Sequence, residues 1–276
     1  MKSRLLFCIS LFWIINTKFA YTQSDTEFWF VAPEVSKGAS FFSYDHPVLF
    51  RFSTYALPAT VTVSQPANPT FPLQTIFIPA GSGGEVQIPL SLLNAVENRP
   101  PNQVLNKGFL IQSTNPITAY YEVLGVPSDN PEIFALKGKN ALGTDFFIPF
   151  QNILTNSNDY SPSPHAAFDI VATTNNTLVT ITPAKPIVGH AANVPFNITL
   201  QRGQSYSAEA SGQSGPAHPA GSRVVSNKPI AITVKDDLLD GSPIFGGFCD
   251  DLVGDQIVPI DKIGTQKKKK KGFLNG

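Results

Sequence analysis

The sequence predicts an all-β protein made of two tandem homologous β-sandwich-like repeats, each of about 120 residues, a length that suits a sandwich of seven short strands. Three observations carry this: short alternating runs rich in β-branched and aromatic residues, no segment with the length and 3.6-residue period of a substantial helix, and phrases that return at a nearly constant spacing. A propeller assembled from smaller blades is the alternative architecture.

The first element is a leader. Met1-Lys2-Ser3-Arg4 places two positive charges before the apolar run Leu5 to Ile15, and polar Asn16-Thr17-Lys18 follows. That is the pattern of a secretory signal peptide over residues 1–22. The run falls short of the roughly 20 apolar residues needed to cross a hydrocarbon layer of about 30 Å, so no membrane span is expected after cleavage. Small residues at Ala20 and Thr22 place the cut between Thr22 and Gln23; cleavage after Ala20 is weaker because it sets Lys18 at the third position before the cut.

Charge and cysteine usage bound what remains. The body from Gln23 to Ile263 holds 12 basic and 20 acidic side chains, a net charge of −8. A nucleic-acid binder needs the opposite sign to neutralise phosphates, and an anionic membrane surface is disfavoured for the same reason. The two cysteines are Cys8 in the leader and Cys249. An exported chain without an internal disulfide must rest on its hydrophobic cores alone.

The strands follow in order. Val48-Leu49-Phe50-Arg51-Phe52-Ser53, Ala59-Thr60-Val61-Thr62-Val63, Thr75-Ile76-Phe77-Ile78 and Glu85-Val86-Gln87-Ile88 are short and bounded by Pro, Gly or Asn, as in Gln65-Pro66-Ala67-Asn68-Pro69. Such bounded alternation writes strands and their turns. Leu90 to Val96 is the one candidate short helix, ended by Asn98-Arg99-Pro100-Pro101.

Internal repetition organises these strands. Asp25-Thr26-Glu27-Phe28-Trp29-Phe30 answers Gly143-Thr144-Asp145-Phe146-Phe147-Ile148, and Val61-Thr62-Val63 answers Val179-Thr180-Ile181, both at 118 positions. Ile78-Pro79-Ala80-Gly81-Ser82 returns as Leu200-Gln201-Arg202-Gly203-Gln204 at 122, and Ser113-Thr114-Asn115-Pro116-Ile117 as Ser226-Asn227-Lys228-Pro229-Ile230 at 113. Small drifts in spacing are what loop insertions produce. The expected repeats are 23–142 and 143–263. Gly264-Thr265-Gln266 opens like a third copy but runs into Lys267 to Lys271. Charges on both faces of a strand cannot be buried, so 264–276 is expected to be an aborted third repeat or a disordered basic tail, and the product looks truncated.

Four phrases carry a family resemblance: Thr26-Glu27-Phe28-Trp29-Phe30-Val31-Ala32-Pro33-Glu34, Phe134-Ala135-Leu136-Lys137-Gly138-Lys139-Asn140-Ala141-Leu142-Gly143-Thr144, Ile230-Ala231-Ile232-Thr233-Val234-Lys235-Asp236-Asp237 and Gly254-Asp255-Gln256-Ile257-Val258-Pro259. The chain resembles the IgGFc-binding protein N-terminal domain family, in the branch of large secreted surface proteins of Bacteroidetes. The resemblance implies a binding or adhesion role at the cell surface and relatives that continue to a gliding-type sorting domain of the type IX secretion system. No sorting domain or covalent attachment signal is visible in this sequence.

Signals for catalysis are few. His46, His165, His190 and His218 all sit in loops beside Pro or Gly and read as solvated or capping residues, without zinc spacing. Cys249 is flanked by Asp250 and Asp251, whose charge raises a thiol pKa. No catalytic residue is assigned. The one acidic constellation is Asp236, Asp237, Asp240, Asp250, Asp251 and Asp255, with Asp261 beyond, in what reads as loop-rich chain. Calcium accepts irregular oxygen ligands and is the only cofactor these residues suggest. The preferred reading is no cofactor, with turn aspartates bonding their own backbone. Phe28-Trp29-Phe30, Phe41-Phe42 and Tyr120-Tyr121 are read as core and inter-repeat packing ahead of a sugar-stacking platform. The expected function is a non-catalytic secreted or cell-surface binding module for an extracellular protein or glycan, with a secreted hydrolase of polysaccharide or glycoprotein as the alternative.

Overall fold

The computed structural model describes residues 23–36, 48–124, 132–158, 160–246 and 250–263. The leader up to Thr22, Phe41-Phe42, His46, Cys249 and the Lys267–Lys271 tail lie outside the described residues. The fold is almost wholly β, as expected, and consists of two sheets of matching design.

The first unit contributes β1 (Asp25–Val31), β2 (Val48–Thr54), β3 (Ala59–Ser64), β4 (Gln74–Ile78) and β5 (Gly83–Ile88), then β6 (Val104–Leu105), β7 (Gly108–Val123) and β8 (Glu132–Leu136). The second contributes β9 (Gly143–Phe147), β10 (Thr155–Asn156), β11 (Ala166–Ala172), β12 (Thr177–Thr182), β13 (Phe196–Leu200), β14 (Ser205–Glu209), β15 (Arg223–Asp240) and β16 (Asp250–Gln256). The one helical stretch expected, Leu90 to Val96, is a 3-10 turn running into the four-residue helix Leu93–Val96.

Both sheets are organised on one long strand. In the first, the order is β4-β3-β7-β2-β5, with β1 and β8 also on β7. In the second it is β13-β12-β15-β11-β14, with β9 and β16 on β15. The first half of β7 carries β1 and β3, and its second half carries β2 and β8. Each sheet therefore folds over at the middle of its long strand, and the two halves become the layers of a sandwich.

The recurring phrase at that fold has a physical reading. Pro116 and Pro229 cannot donate to a ladder and stand where pairing passes from one neighbour to the next. Ser113 Oγ donates to the Asn115 carbonyl at 2.6 Å, and Ser226 Oγ to the Lys228 carbonyl at 2.7 Å. Thr114 Oγ1 accepts from the Thr60 amide of β3, and Asn227 Oδ1 from the Leu178 amide of β12. The hairpin phrase is equally constrained: Gly81 and Gly203 have φ of +66° and +79°, a region that favours glycine.

Alternation fills the cores. In β3, Ala59, Val61 and Val63 point inward while Thr60, Thr62 and Ser64 do not. Phe30, Phe50, Phe109, Tyr121 and Phe134 form an aromatic cluster in the first core, with Phe30 and Tyr121 centroids 4.9 Å apart. Such pairs each add about 0.5–1.5 kcal/mol beyond burial. The second core is more aliphatic, with Ile170, Ile181 and Ile232 around Phe146 and Phe168.

The units also share a boundary. Trp29, Val31 and Leu110 on the outer face of the first pack on Val171 and Ala231 of the second, with Ala141 between them. β6 leaves its own unit and pairs with β14. At Gly108, a Cβ would stand 2.3 Å from Val171 Cγ2 and 2.7 Å from the Gly203 carbonyl oxygen, so only glycine fits. Trp29 thus lies between units, the inter-repeat packing expected of this aromatic run, while Phe28 and Phe30 are core.

Candidate functional site

The second half of β15 reads Val234-Lys235-Asp236-Asp237, and a strand sends successive side chains to opposite faces. Lys235 and Asp237 enter the seam between the units, while Asp236 faces a groove on the other side. The expectation that Asp236, Asp237 and Asp240 lie in loop-rich chain is corrected here. They are strand residues, because a β-bulge between Asp236 and Leu239 lets β15 continue past two carboxylates and still pair with β16.

Within the seam, Lys235 is 2% exposed and its Nζ lies 3.7 Å from Asp237. An isolated buried ammonium would be strongly destabilising. Burial opposes the charge of Lys235, but Asp237, Glu209, Glu34 and Asp169 outweigh it and raise its pKa above the ordinary lysine value. Asp237 accepts at Oδ2 from the Ser36 amide at 2.9 Å and the Ser36 hydroxyl at 2.8 Å, which ties the first unit to the second. Asn98 continues this network, donating to Asp169 at 2.7 Å and accepting from Ser205 at 2.7 Å. Burial raises the pKa of Glu34, Glu209 and Asp237, and pushes Asp169 up to about 7. Among the described residues, the seam thus sets Lys235 among carboxyl groups that retain protons more readily than exposed ones, with Arg99 3.7 Å from Glu34 at its edge.

On the opposite face lies a groove of about 300 Å³ walled by Pro149, Phe150, Val234 and Val253, with Gln151 and Asp236 among its lining residues. Asp236 accepts from Gln151 Nε2 at 3.0 Å and Asn156 Nδ2 at 2.9 Å, and stands 3.2 Å from His218 Nδ1. His218 Nε2 is 2.9 Å from Asn156 Oδ1. His218, read as solvated or capping, is not solvated: it is 1% exposed, caps the 3-10 turn Gly215–Ala217 and closes this network. Burial disfavours its charge, but the hydrogen bond and charge of Asp236 prevail and hold its pKa above the usual histidine value. Its sequence position beside Pro219 gave no sign of this, since Asp236 lies 18 positions on, far along β15. His190 stacks on Phe196 with centroids 3.4 Å apart.

The other acidic positions disperse. Asp240 accepts from the Ser242 amide at 2.9 Å, the local turn bonding expected of such residues. Asp250 and Asp251 sit on β16 opposite Asp240 and Leu239. Asp255 forms an ion pair of 2.6 Å with Lys137 of the first unit. Among the described residues, no three His, Cys, Asp or Glu side chains converge to hold a metal ion. No helix among them is long and apolar enough to cross a membrane.

Residues 134–266 match the model of a family described as IgGFc binding protein. That stretch runs from inside β8 through the whole described second unit, including the seam face of β15 and the groove. No curated protein and no solved structure matches the chain.

Proposed function

We propose that this chain is a secreted or cell-surface binding module, without catalytic activity, whose ligand is an extracellular glycoprotein or glycan. The observation that carries the reading is the match of residues 134–266 to a family named for binding an antibody Fc. Two disulfide-free β units bonded across a charged seam make a stiff scaffold, and stiff scaffolds lose little entropy when they bind. Export through the type IX route belongs to the same reading.

A hydrolase is the second reading, favoured by the Asp236–His218 pair behind an apolar groove. The partners of His218 are Gln151, Asn156, Asp236 and the Gln213 carbonyl, and none of these is a nucleophile a histidine activates. The test is an array of glycans, mucins and antibody Fc, run with and without a calcium chelator. The proposal expects retention of at least one ligand, unaltered by chelator. Release of reducing sugar or peptide with no retained ligand would establish the hydrolase instead.

A further inference from the structure

The two units have the same topology, so each surface of one has a counterpart in the other, and one such pair differs in what covers it. Trp29, opposite Leu110 in its ladder, is sealed at 3% exposure by the second unit. Its counterpart is Phe147, opposite Arg223 at the same register. Phe147 is 56% exposed. Trp29 lies under the Arg202 guanidinium at 5.0 Å, and Phe147 under that of Arg223 at 5.9 Å.

The receiving surface is duplicated too. Trp29 packs on Val171 and Ala231, and Val171 pairs with Ser205. The counterparts in the first unit are Ser53, Thr118 and Gly83, linked by the same pairings. Ser53 and Gly83 lie in a trough of about 490 Å³ framed by Arg51, Glu85 and Tyr120. Gly83 keeps it open, since a Cβ there would meet only the Phe52 carbonyl oxygen at 3.6 Å. Glu85 in the trough pairs with Arg51 at 2.5 Å and Arg223 beside the knob pairs with Asp145 at 2.8 Å, so each face presents an ion pair of its own.

We propose that the chain associates head to tail, the Phe147–Arg223 knob of one copy seated in the Ser53–Gly83–Tyr120 trough of the next. The contact repeats between chains the seam already formed within one. Because knob and trough lie on different units, the contact is heterologous and leaves a free end at each stage, so it extends where a two-fold contact would close. This goes beyond ligand binding and gives the module a route to multivalency.

Sedimentation of the full chain between about 1 and about 200 µM, the range of modest interfaces, should give a mass that keeps rising past the dimer. Phe147→Glu and Gly83→Arg, both at sites with room, should each raise the concentration needed by about tenfold or more. An equimolar mixture of the two variants should form a one-to-one dimer and stop, because only one intact knob meets one intact trough. A chain that stays monomeric throughout, a dimer that does not grow, or growth that salt abolishes and Phe147→Glu leaves unchanged would each overturn the proposal.

Discussion

Asp169 is the residue at which chemistry and assembly meet. It is fully buried at the seam, accepts from Asn98 of the first unit, and is pushed by burial from 3.8 up to about 7. A carboxyl raised on folding binds its proton more tightly in the folded state. Its stabilising contribution is therefore complete below the ordinary carboxylate range and is lost as pH rises from about 4 to about 7. At about 1.4 kcal/mol per pH unit the ceiling is about 4 kcal/mol, shared with Lys235 and its other carboxylates. Wild-type protein should thus gain stability against urea between pH 8 and pH 5, and Asp169→Asn should gain distinctly less. Equal slopes for the two proteins would show that Asp169 does not hold a proton in the seam. Val171, two residues on, faces the same seam, yet Asp169 reads in the sequence as an ordinary polar strand residue. Its partners Asn98 and Ser207 are 71 and 38 positions away, and a sequence carries no measure of which distant strands will meet.

At the element scale, the bent strands β7 and β15 decide the architecture. A straight strand of 16 or 18 residues would carry its neighbours past the edge of a small core. The Ser-x-x-Pro phrase in each gives the chain a place to turn, with the serine hydroxyl closing onto a carbonyl two residues later. Ser113→Ala and Ser226→Ala should each cost about 1 kcal/mol, the net value of one such hydrogen bond, and chemical denaturation should find the two losses similar. A loss confined to one unit would mean that the two folds are not turned in the same way. The strand runs, the 118-residue spacing and the all-β class were legible because a period of two and bounding Pro and Gly are local signals. The acidic segment from Asp236 was misjudged for a reason of the same kind. Adjacent aspartates resemble a loop unless their partners are known, and here Asp237 is met by Lys235 of the same strand and by Ser36 of the first unit.

For the whole molecule, the two sandwiches behave as a single scaffold. Trp29, Gly108 and Ser36 of the first unit are committed to the second, and β6 extends the second sheet. The sequence revealed the repetition, but not that one copy's outer face is the other's partner, since that follows only when Trp29 is seen covered and Phe147 is not. Such a scaffold presents fixed surfaces, which suits recognition more than a reaction needing closure around a substrate. The direct test is a mass balance on a ligand retained in the array. It is incubated with the protein for many hours and then recovered and weighed by mass spectrometry, with Asp236→Asn alongside. The binding account predicts ligand recovered intact, in amounts set by affinity and unchanged with time for both proteins. Product that accumulates with time for the wild type and stops in Asp236→Asn would contradict it and make the groove an active site.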